Sequence, residues 1–460
     1  MDQPLTKTRL DRRPILVAAL VCLTGAVLAG PLPTDDVPAN AVTFAVALAL
    51  CLALLAREGL WRPSAAYLVL FGLFHGGLLL SVAVRGADAF IAYDVSWLYE
   101  GYTAEATRLV ILGMTAFTLC AELAAGRTGP STVTAPATGD ARPVDLPRGC
   151  GVIGLAIEFA GLAVFTTAVA GAAGFDQLTG SYPAFVQANQ SDTLLGYGTL
   201  CIGMGATLAI IADRSVRIAA WLGFAAYAVV AFQVGTRGEV LFPLLALLVV
   251  EARRGRRIRP LWTILAVPCV LGLIGLVRTT RLPDGSGPAS TLWSAPFDAV
   301  AEMGHSLRPT IEVLDWHAFG EPFRHGATLI VVPVRFVEKL TGWHGGPPVQ
   351  DDRLFNVEIL DRVGPVGGSP VAEGYHNAGL LGVLLLLGAI GYAIGWLDRR
   401  SATPLGHAAV GVLLLPLLVQ IRNSFAPVPA QIAVGLLLLL VVHEVARWSE
   451  GRRAPRVGPS

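Results

Sequence analysis

An all-α, polytopic membrane protein is the fold class this sequence predicts, and three observations predict it. Hydrophobic residues make up 54% of the 460-residue chain and charged residues only 15%, more apolar surface than ordinary cores can hide from water. Apolar runs of about 17–22 residues recur along the chain, each long enough as a helix to cross a hydrocarbon layer of about 30 Å. Lysines and arginines gather in alternate connections between these runs, the distribution the positive-inside rule describes.

Taken in order, the runs fall at about 14–31, 39–56, 64–84, 105–124, 150–172, 193–212, 216–234, 239–252, 260–277, 377–396, 403–421 and 430–449, which predicts about twelve transmembrane helices. The first is followed by AGPLPTDD, which lacks a convincing small-residue cleavage site, so a retained span is expected. The eighth is short and implies little tilt or a locally thinned bilayer. A cytoplasmic N-terminus puts most of the 34 Lys and Arg residues inside. Only Arg85, Arg108, Arg237 and Arg422 oppose that orientation from short outer segments, so both termini are expected in the cytoplasm of a multi-pass plasma-membrane protein. Three regions result: 1–277 with nine helices and a Gly/Pro/Ser/Thr-rich cytoplasmic linker at 126–148, a large extracytoplasmic loop at 278–376, and 377–460 with three helices and a cytoplasmic tail. The six cysteines lie in or beside the runs with no CxxC pair, so they read as packing residues. A net charge of +1 gives no global field to attract nucleic acid.

The stretch FQVGTRGEVLF, residues 232–242, keeps a guanidinium in a tight outer turn. Gly235 and Gly238 flank Thr236 and Arg237, an arrangement that lets backbone N–H groups face an anion, and Glu239 suits the start of the next helix. A snorkelling arginine is the plain alternative. Arg278 and Arg281 at the outer end of the ninth run, and Arg422 at the outer end of the eleventh, add cations at other helix ends. Together they suit a diphosphate at the membrane surface, because guanidinium groups fork onto phosphate oxygens.

The long loop carries His305, His317, His325, His344 and His376. Phe297, Val300, Met303, Leu307, Ile311 and Leu314 form a helical stripe about 120° wide, with Asp298, Glu302, His305, Arg308 and Glu312 opposite. Pro309 predicts a break near Arg308. An interfacial helix with a solvated polar face and a helix lining a cavity are both open readings. Residues 326–340, GATLIVVPVRFVEKL, are too short to span and too apolar for free loop, so a re-entrant or interfacial element is expected. Trp293, Trp316, Trp343 and Phe355 suit either headgroup level or sugar stacking. At the loop's end Glu373, His376 and Asn377 are i, i+3 and i+4 neighbours. A carboxylate beside an imidazole there is a general-base arrangement; helix capping through Ser369 and Asn377 is the alternative.

In chain order GTRGE (235–239), AEMGHSLRPT (301–310), FRHGATLIVVP (323–333) and GGSPVAEGYHNAGLLG (367–382) resemble segments of the Wzy-type oligosaccharide repeat-unit polymerases, the O-antigen polymerases. The resemblance covers about 235–382 and the order and placement of the motifs; Ala378 departs from it, standing where an aromatic usually precedes Gly379. It implies an all-helical fold like the GT-C class of membrane glycosyltransferases and a polyprenyl-diphosphate-linked oligosaccharide substrate. It also implies no nucleotide sugar, no cofactor and no metal, with a flippase and a chain-length regulator as partners. Asp351–Asp352, the nearest thing to a metal-binding pair, reads as solvated loop.

On that footing Arg237 is the first choice for stabilising the diphosphate leaving group, supported by Arg278, Arg281 and Arg422. Glu373 with His376, or Glu302 with His305, are candidate general bases, and both pairs stay open. Arg308, Tyr375 and Asn377 are candidate glycan contacts. A ligase-like transferase shares fold and donor but moves a finished glycan to another acceptor. A lipid or glycan transporter would place ionisable groups near the bilayer midplane, where Glu158 is one of few. A scaffold would explain the helices but not the arginine and histidine grouping.

Overall fold

The computed structural model describes residues 13–30, 36–90, 94–99, 101–126, 145–173, 193–234, 237–255, 294–342, 351–400 and 403–451. Among these it holds helices and no strand. The chain forms α1 (Arg13–Ala29), α2 (Val37–Leu55), α3 (Pro63–Arg85), α4 (Thr103–Gly126), α5 (Arg148–Ala173), α6 (Thr193–Ile210), α7 (Arg214–Val234) and α8 (Arg237–Arg253). After residue 293 come the loop helices α9 (Ala295–Met303), α10 (Arg308–Ala318), α11 (Ala327–Leu340) and α12 (Phe355–Arg362). Three long helices close the chain: α13 (Pro370–Asp398), α14 (Pro404–Val419) and α15 (Val428–Gly451). Every apolar run read from the sequence coincides with a helix except 260–277, which lies outside the described residues, as does most of the linker at 126–148. Among the described residues eight helices are long and apolar enough to cross a membrane; α1 and the Leu195–Ile210 part of α6 are shorter apolar helices.

Several of these helices start where local chemistry fixes them. Asp36 accepts the N–H of Ala39 at 2.9 Å to open α2, Thr403 accepts that of Gly406 to open α14, and Ser369 accepts those of Val371 and Ala372 to open α13. Each of these three helices has proline in its first turn, where a missing N–H costs nothing. Glycine then sets how closely helices approach. A Cβ on Gly391 or Gly395 of α13 would fall 2.2 Å from Phe117 O and 2.3 Å from Ala121 O of α4, so that pair packs backbone to backbone, a close approach common between helices in lipid.

Ion pairs and hydrogen bonds sort the helix ends into two faces. On one, Arg62 at the start of α3 reaches Asp398 at the end of α13 at 2.9 Å, and Arg57 reaches Glu122 of α4 at 2.8 Å. Arg254 pairs with Asp145 on the same side, and Arg253 donates to the carbonyls of Asp398 and Arg400. On the other, Arg85 at the end of α3 meets Asp298 of α9 at 2.9 Å, and Gly368 N donates to Arg422 O at 2.8 Å. The second is here called the loop face. Between the faces Glu158 is fully buried in α5, its oxygens without a hydrogen-bond partner and close against Gly223 of α7.

The loop segment enters the bundle rather than lying on it. A Cβ on Gly77 of α3 would fall 2.5 Å from Val300 O, and one on Gly304 would strike Leu78 N; glycine on both sides lets α9 seat against α3. Of the apolar stripe read from the sequence, Met303, Leu307, Ile311 and Leu314 are buried, while Phe297 stays 44% exposed. The break comes where Pro309 places it, with a 3-10 turn at Gly304–Leu307 and Pro309 in the first turn of α10. Helix α11 differs: Ile330, Phe336, Val337 and Leu340 on one side are exposed, whereas Thr328 and Val331 on the other are buried. Its polar residues are held, Arg335 by Asp351 and Glu338 by Arg353.

Candidate functional site

Helix α13 is broken near its loop-face end. Ala378 (φ −153°, ψ 31°) and Gly379 (φ 60°, ψ −148°) leave helical geometry, and the second of these conformations is open essentially to glycine. The chain folds sharply enough that a Cβ on Gly382 would strike Gly374 O. A break strands main-chain carbonyls that the next turn would have satisfied. Here the segment before α11 satisfies them: Arg324 N donates to His376 O at 3.0 Å and His325 N to Asn377 O at 2.9 Å. The loop-face half, 370–377, is thereby held as a short polar helix carrying Glu373, Tyr375, His376 and Asn377.

Its N-terminal end is fixed from within the bundle. His75 of α3, fully buried, has Nδ1 3.0 Å from Phe71 O; a carbonyl only accepts, so Nδ1 carries the proton. Nε2 therefore accepts from Ser369 Oγ–H at 2.9 Å, the hydroxyl whose oxygen caps the half-helix.

Glu373 and His376 face different partners. Glu373 is fully buried; Oε1 accepts from Thr328 Oγ1 and Ser424 Oγ at 3.0 Å each, and Oε2 from Phe425 N at 2.6 Å. Asn377 Nδ2 donates to Thr328 Oγ1 at 2.7 Å. This carboxylate thus ties α11, the corner at 424–425 and the half-helix together. The carboxylate beside His376 is Glu358 of α12, with Oε2 3.1 Å from His376 Nε2.

Around His376 the donors can be ordered. His317 Nδ1 lies 2.7 Å from Glu321 O, so it carries the proton, and His317 Nε2 accepts from His376 Nδ1–H at 3.1 Å. His376 Nε2 then bears the ring's lone pair. Two groups sit at that one nitrogen: Arg324 Nε–H at 3.1 Å, a donor, and Glu358 Oε2 at 3.1 Å, an acceptor. Arg324 Nη2 also donates to Glu358 Oε1 at 2.6 Å. Burial pushes the Glu358 carboxyl up, but a hydrogen bond from His376 once its Nε2 is protonated, together with the Arg324 guanidinium, outweighs it and holds the group down to about 2. Burial pushes the His317 imidazole below its ordinary range, against its hydrogen bond to Glu321 O. Trp316, Phe355, Phe323 and Tyr375 pack their rings on the two imidazoles.

Glu321, Glu358 and His376 bring ligand atoms within 4.8 Å of one another, close enough for a metal ion. The carboxylates are already taken: Arg324 and Arg362 hold Glu358, and Arg362 holds Glu321 at 2.8 Å. A cation there would have to displace both guanidiniums.

The other residues singled out in the sequence fall elsewhere. His305 Nδ1 binds the main-chain carbonyl of Glu302 at 2.9 Å, and Arg308 pairs with Asp94 and Glu312. Arg308 is nine residues along α10 from His317, about 13 Å at 1.5 Å per residue, so this pair and His376 form separate clusters. Arg237 begins α8, but its side chain, like Arg278 and Arg281, lies outside the described residues. Arg422 lies beside Gly367, near the Phe74 ring, with the Glu239 charge of α8 in range. Among the described residues of the loop face it is an arginine with no hydrogen bond or ion pair. His317, Arg324, Thr328 and Glu358 did not emerge as site residues from the sequence, because nothing in their spacing relates them to 376.

A family model for the O-antigen polysaccharide polymerase Wzy matches residues 214–448. The chain belongs to the Wzy family. The matched stretch runs from the start of α7 into α15 and includes Arg237, the whole loop, the broken helix and Arg422. His75, which holds the half-helix from α3, lies before it. Protein CapE of Staphylococcus aureus is 25% identical over 260 residues. That match covers 55% of this chain and 57% of CapE, so the chain spans little more than half of that relative. No solved structure matches.

Proposed function

We propose that this Wzy-family protein polymerises polyprenyl-diphosphate-linked oligosaccharide repeat units at the outer face of the cytoplasmic membrane, building a cell-surface polysaccharide. The reading sets α1, α6, α8 and the run 260–277 beside the eight long helices, giving twelve spans with the loop face outside and both termini cytoplasmic. In the reaction the acceptor sugar's O–H bond breaks and a base takes the proton. The acceptor oxygen bonds to the donor's anomeric carbon, and the bond from that carbon to the diphosphate breaks, its electron pair leaving on the phosphate oxygen. His376 is the base, and Glu358 holds the imidazolium that forms. Glu373 is assigned the holding of the half-helix. Arg237 and Arg422, with Arg278 and Arg281, receive the diphosphate.

One observation carries this reading: a buried imidazole at the break of a membrane helix, with one nitrogen fixed by a second histidine and the other beside a carboxylate. Support for the phosphate side comes from Arg422, whose guanidinium makes no hydrogen bond or ion pair among the described residues and has the Glu239 charge only in range.

The test is purified protein in nanodiscs supplied with a lipid-diphosphate oligosaccharide and no nucleotide sugar. A ladder of longer products is expected, lost in His376→Ala and mostly lost in Arg237→Lys, whose single ammonium cannot fork onto phosphate. Single capped transfers would instead make the protein a ligase-like transferase. No elongation under any lipid donor overturns the polymerase reading, and a full ladder from His376→Ala overturns the base.

A further inference from the structure

We infer that Arg324 is the side chain that links the two halves of the transfer: it occupies His376 Nε2 in the resting protein and moves to the donor's diphosphate when substrate binds. The inference rests on His376 as base and goes beyond that reading by adding a positioning residue whose partner changes.

The geometry leaves His376 Nε2 two exclusive states. With the lone pair on Nε2, the Arg324 Nε–H at 3.1 Å is satisfied and Glu358 Oε2, also at 3.1 Å, faces a lone pair. With a proton on Nε2, the bond to Glu358 forms and the Arg324 Nε–H faces another donor. Taking the acceptor's proton therefore requires Arg324 to leave. Its main chain need not move, because Arg324 N stays on His376 O at 3.0 Å. Its side chain is 34% exposed, so it borders water while His376 and Glu358 do not. From that water-bordering position the guanidinium can fork onto the bound donor's diphosphate, whose negative charge grows as the anomeric carbon–oxygen bond breaks. Leaving takes Arg324 off Glu358 Oε1 at 2.6 Å and Glu321 Oε1 at 3.5 Å, but Arg362 stays paired with both carboxylates and His317 stays on Glu321 O.

The pH dependence of activity separates this from a structural role. The limb of kcat/KM on the acid side reports the free enzyme, and that of kcat the substrate complex. With Arg324 on His376 only in the free enzyme, the wild-type limb lies at lower pH in kcat/KM than in kcat. Arg324→Ala removes the cation, so its two limbs coincide, and kcat falls about a hundredfold for want of a phosphate contact; Arg324→Lys recovers part of the rate. Glu358→Gln moves the limb the opposite way, to lower pH. Coincident limbs in the wild type, or limbs unmoved in Arg324→Ala, overturn the inference.

Where Arg324→Ala is too slow for a profile, diethyl pyrocarbonate labelling mapped by mass spectrometry reads the same exchange without turnover. His376 is expected to be protected in the resting wild type, and to be labelled in Arg324→Ala and in the wild type with inorganic pyrophosphate. Equal protection in all three states overturns it. An active His376→Ala enzyme would sink the base assignment itself, a failure distinct from either of these.

Discussion

Glu358 is a buried acid kept ionised by its neighbours, which gives it a signature in stability. Its ordinary value of 4.5 is brought down to about 2, so the folded state prefers the ionised form. A depressed carboxylate contributes stability fully above its ordinary value and loses it as pH falls through the folded one. Glu358→Gln abolishes that dependence. Its Tm should lie below that of the wild type at neutral pH, and the gap should narrow as pH falls from about 5 toward about 3; a constant gap in detergent-solubilised protein would contradict the ion-pair account. His317 also loses stability on acidification, because its depressed imidazole must take up a proton, but that loss is common to both proteins and cancels. At this scale the sequence exposed only half of the site. His376 and Asn377 stand out because they open an apolar run. Glu358 sits in FNVEILDR, whose alternation of apolar and charged residues marks an ordinary amphipathic helix, and only the packing of α10, α12 and α13 around Trp316 and Phe355 delivers it to the imidazole. Glu373 shows the converse: its i, i+3 relation to His376 suggested a pair, yet its three partners lie on α11 and the 424–425 corner.

The element that makes the site is the interruption in α13, and its cause is local. The sequence reading started this helix at 377, where the apolar run begins, because 370–377 is polar and hydropathy has no purchase there; Ser369 and Pro370 mark the true start. The break itself was not legible, since NAGLLG is compatible with a continuous helix. It becomes necessary once Arg324 N and His325 N occupy the carbonyls of His376 and Asn377. Gly379, at φ 60° and ψ −148°, is the residue that permits it, because an L side chain in that region costs on the order of 1–3 kcal/mol. Space is not the obstacle: the nearest atom to an added Cβ is the ring tip of Phe323 at 3.3 Å. Gly379→Ala should therefore act through the backbone, lowering kcat and speeding amide exchange in 370–378 with little change in helix content. Ala378→Gly, beside it and exposed, is the control and should leave both unchanged. If Gly379→Ala retained wild-type exchange and rate, the interruption would have no part in holding His376.

For the whole molecule, the proposed orientation rests on the distribution of arginines. On the loop face arginines are mostly consumed by acids: Arg85 by Asp298, Arg108 by Glu105, Arg335 by Asp351 and Arg353 by Glu338. The opposite face also pairs Arg57 and Arg62, but Arg253 and Arg399 donate to main-chain carbonyls instead. The positive-inside rule counts the basic residues themselves, paired or not, and the connections on this face carry Arg57, Arg62, Arg253, Arg254, Arg399 and Arg400. The run of apolar helices was readable from hydropathy alone, because hydropathy acts residue by residue. The insertion of α9 into the bundle was not, since it depends on Gly77 and Gly304 meeting across the fold. The orientation can be checked in a background lacking the native cysteines, with Asp352→Cys on the loop face and Arg214→Cys at the start of α7, both at exposed positions. A membrane-impermeant maleimide applied to intact spheroplasts should label the first at once and the second only after permeabilisation. The reverse pattern would put His376 and Arg422 in the cytoplasm, on the wrong side for a surface polysaccharide.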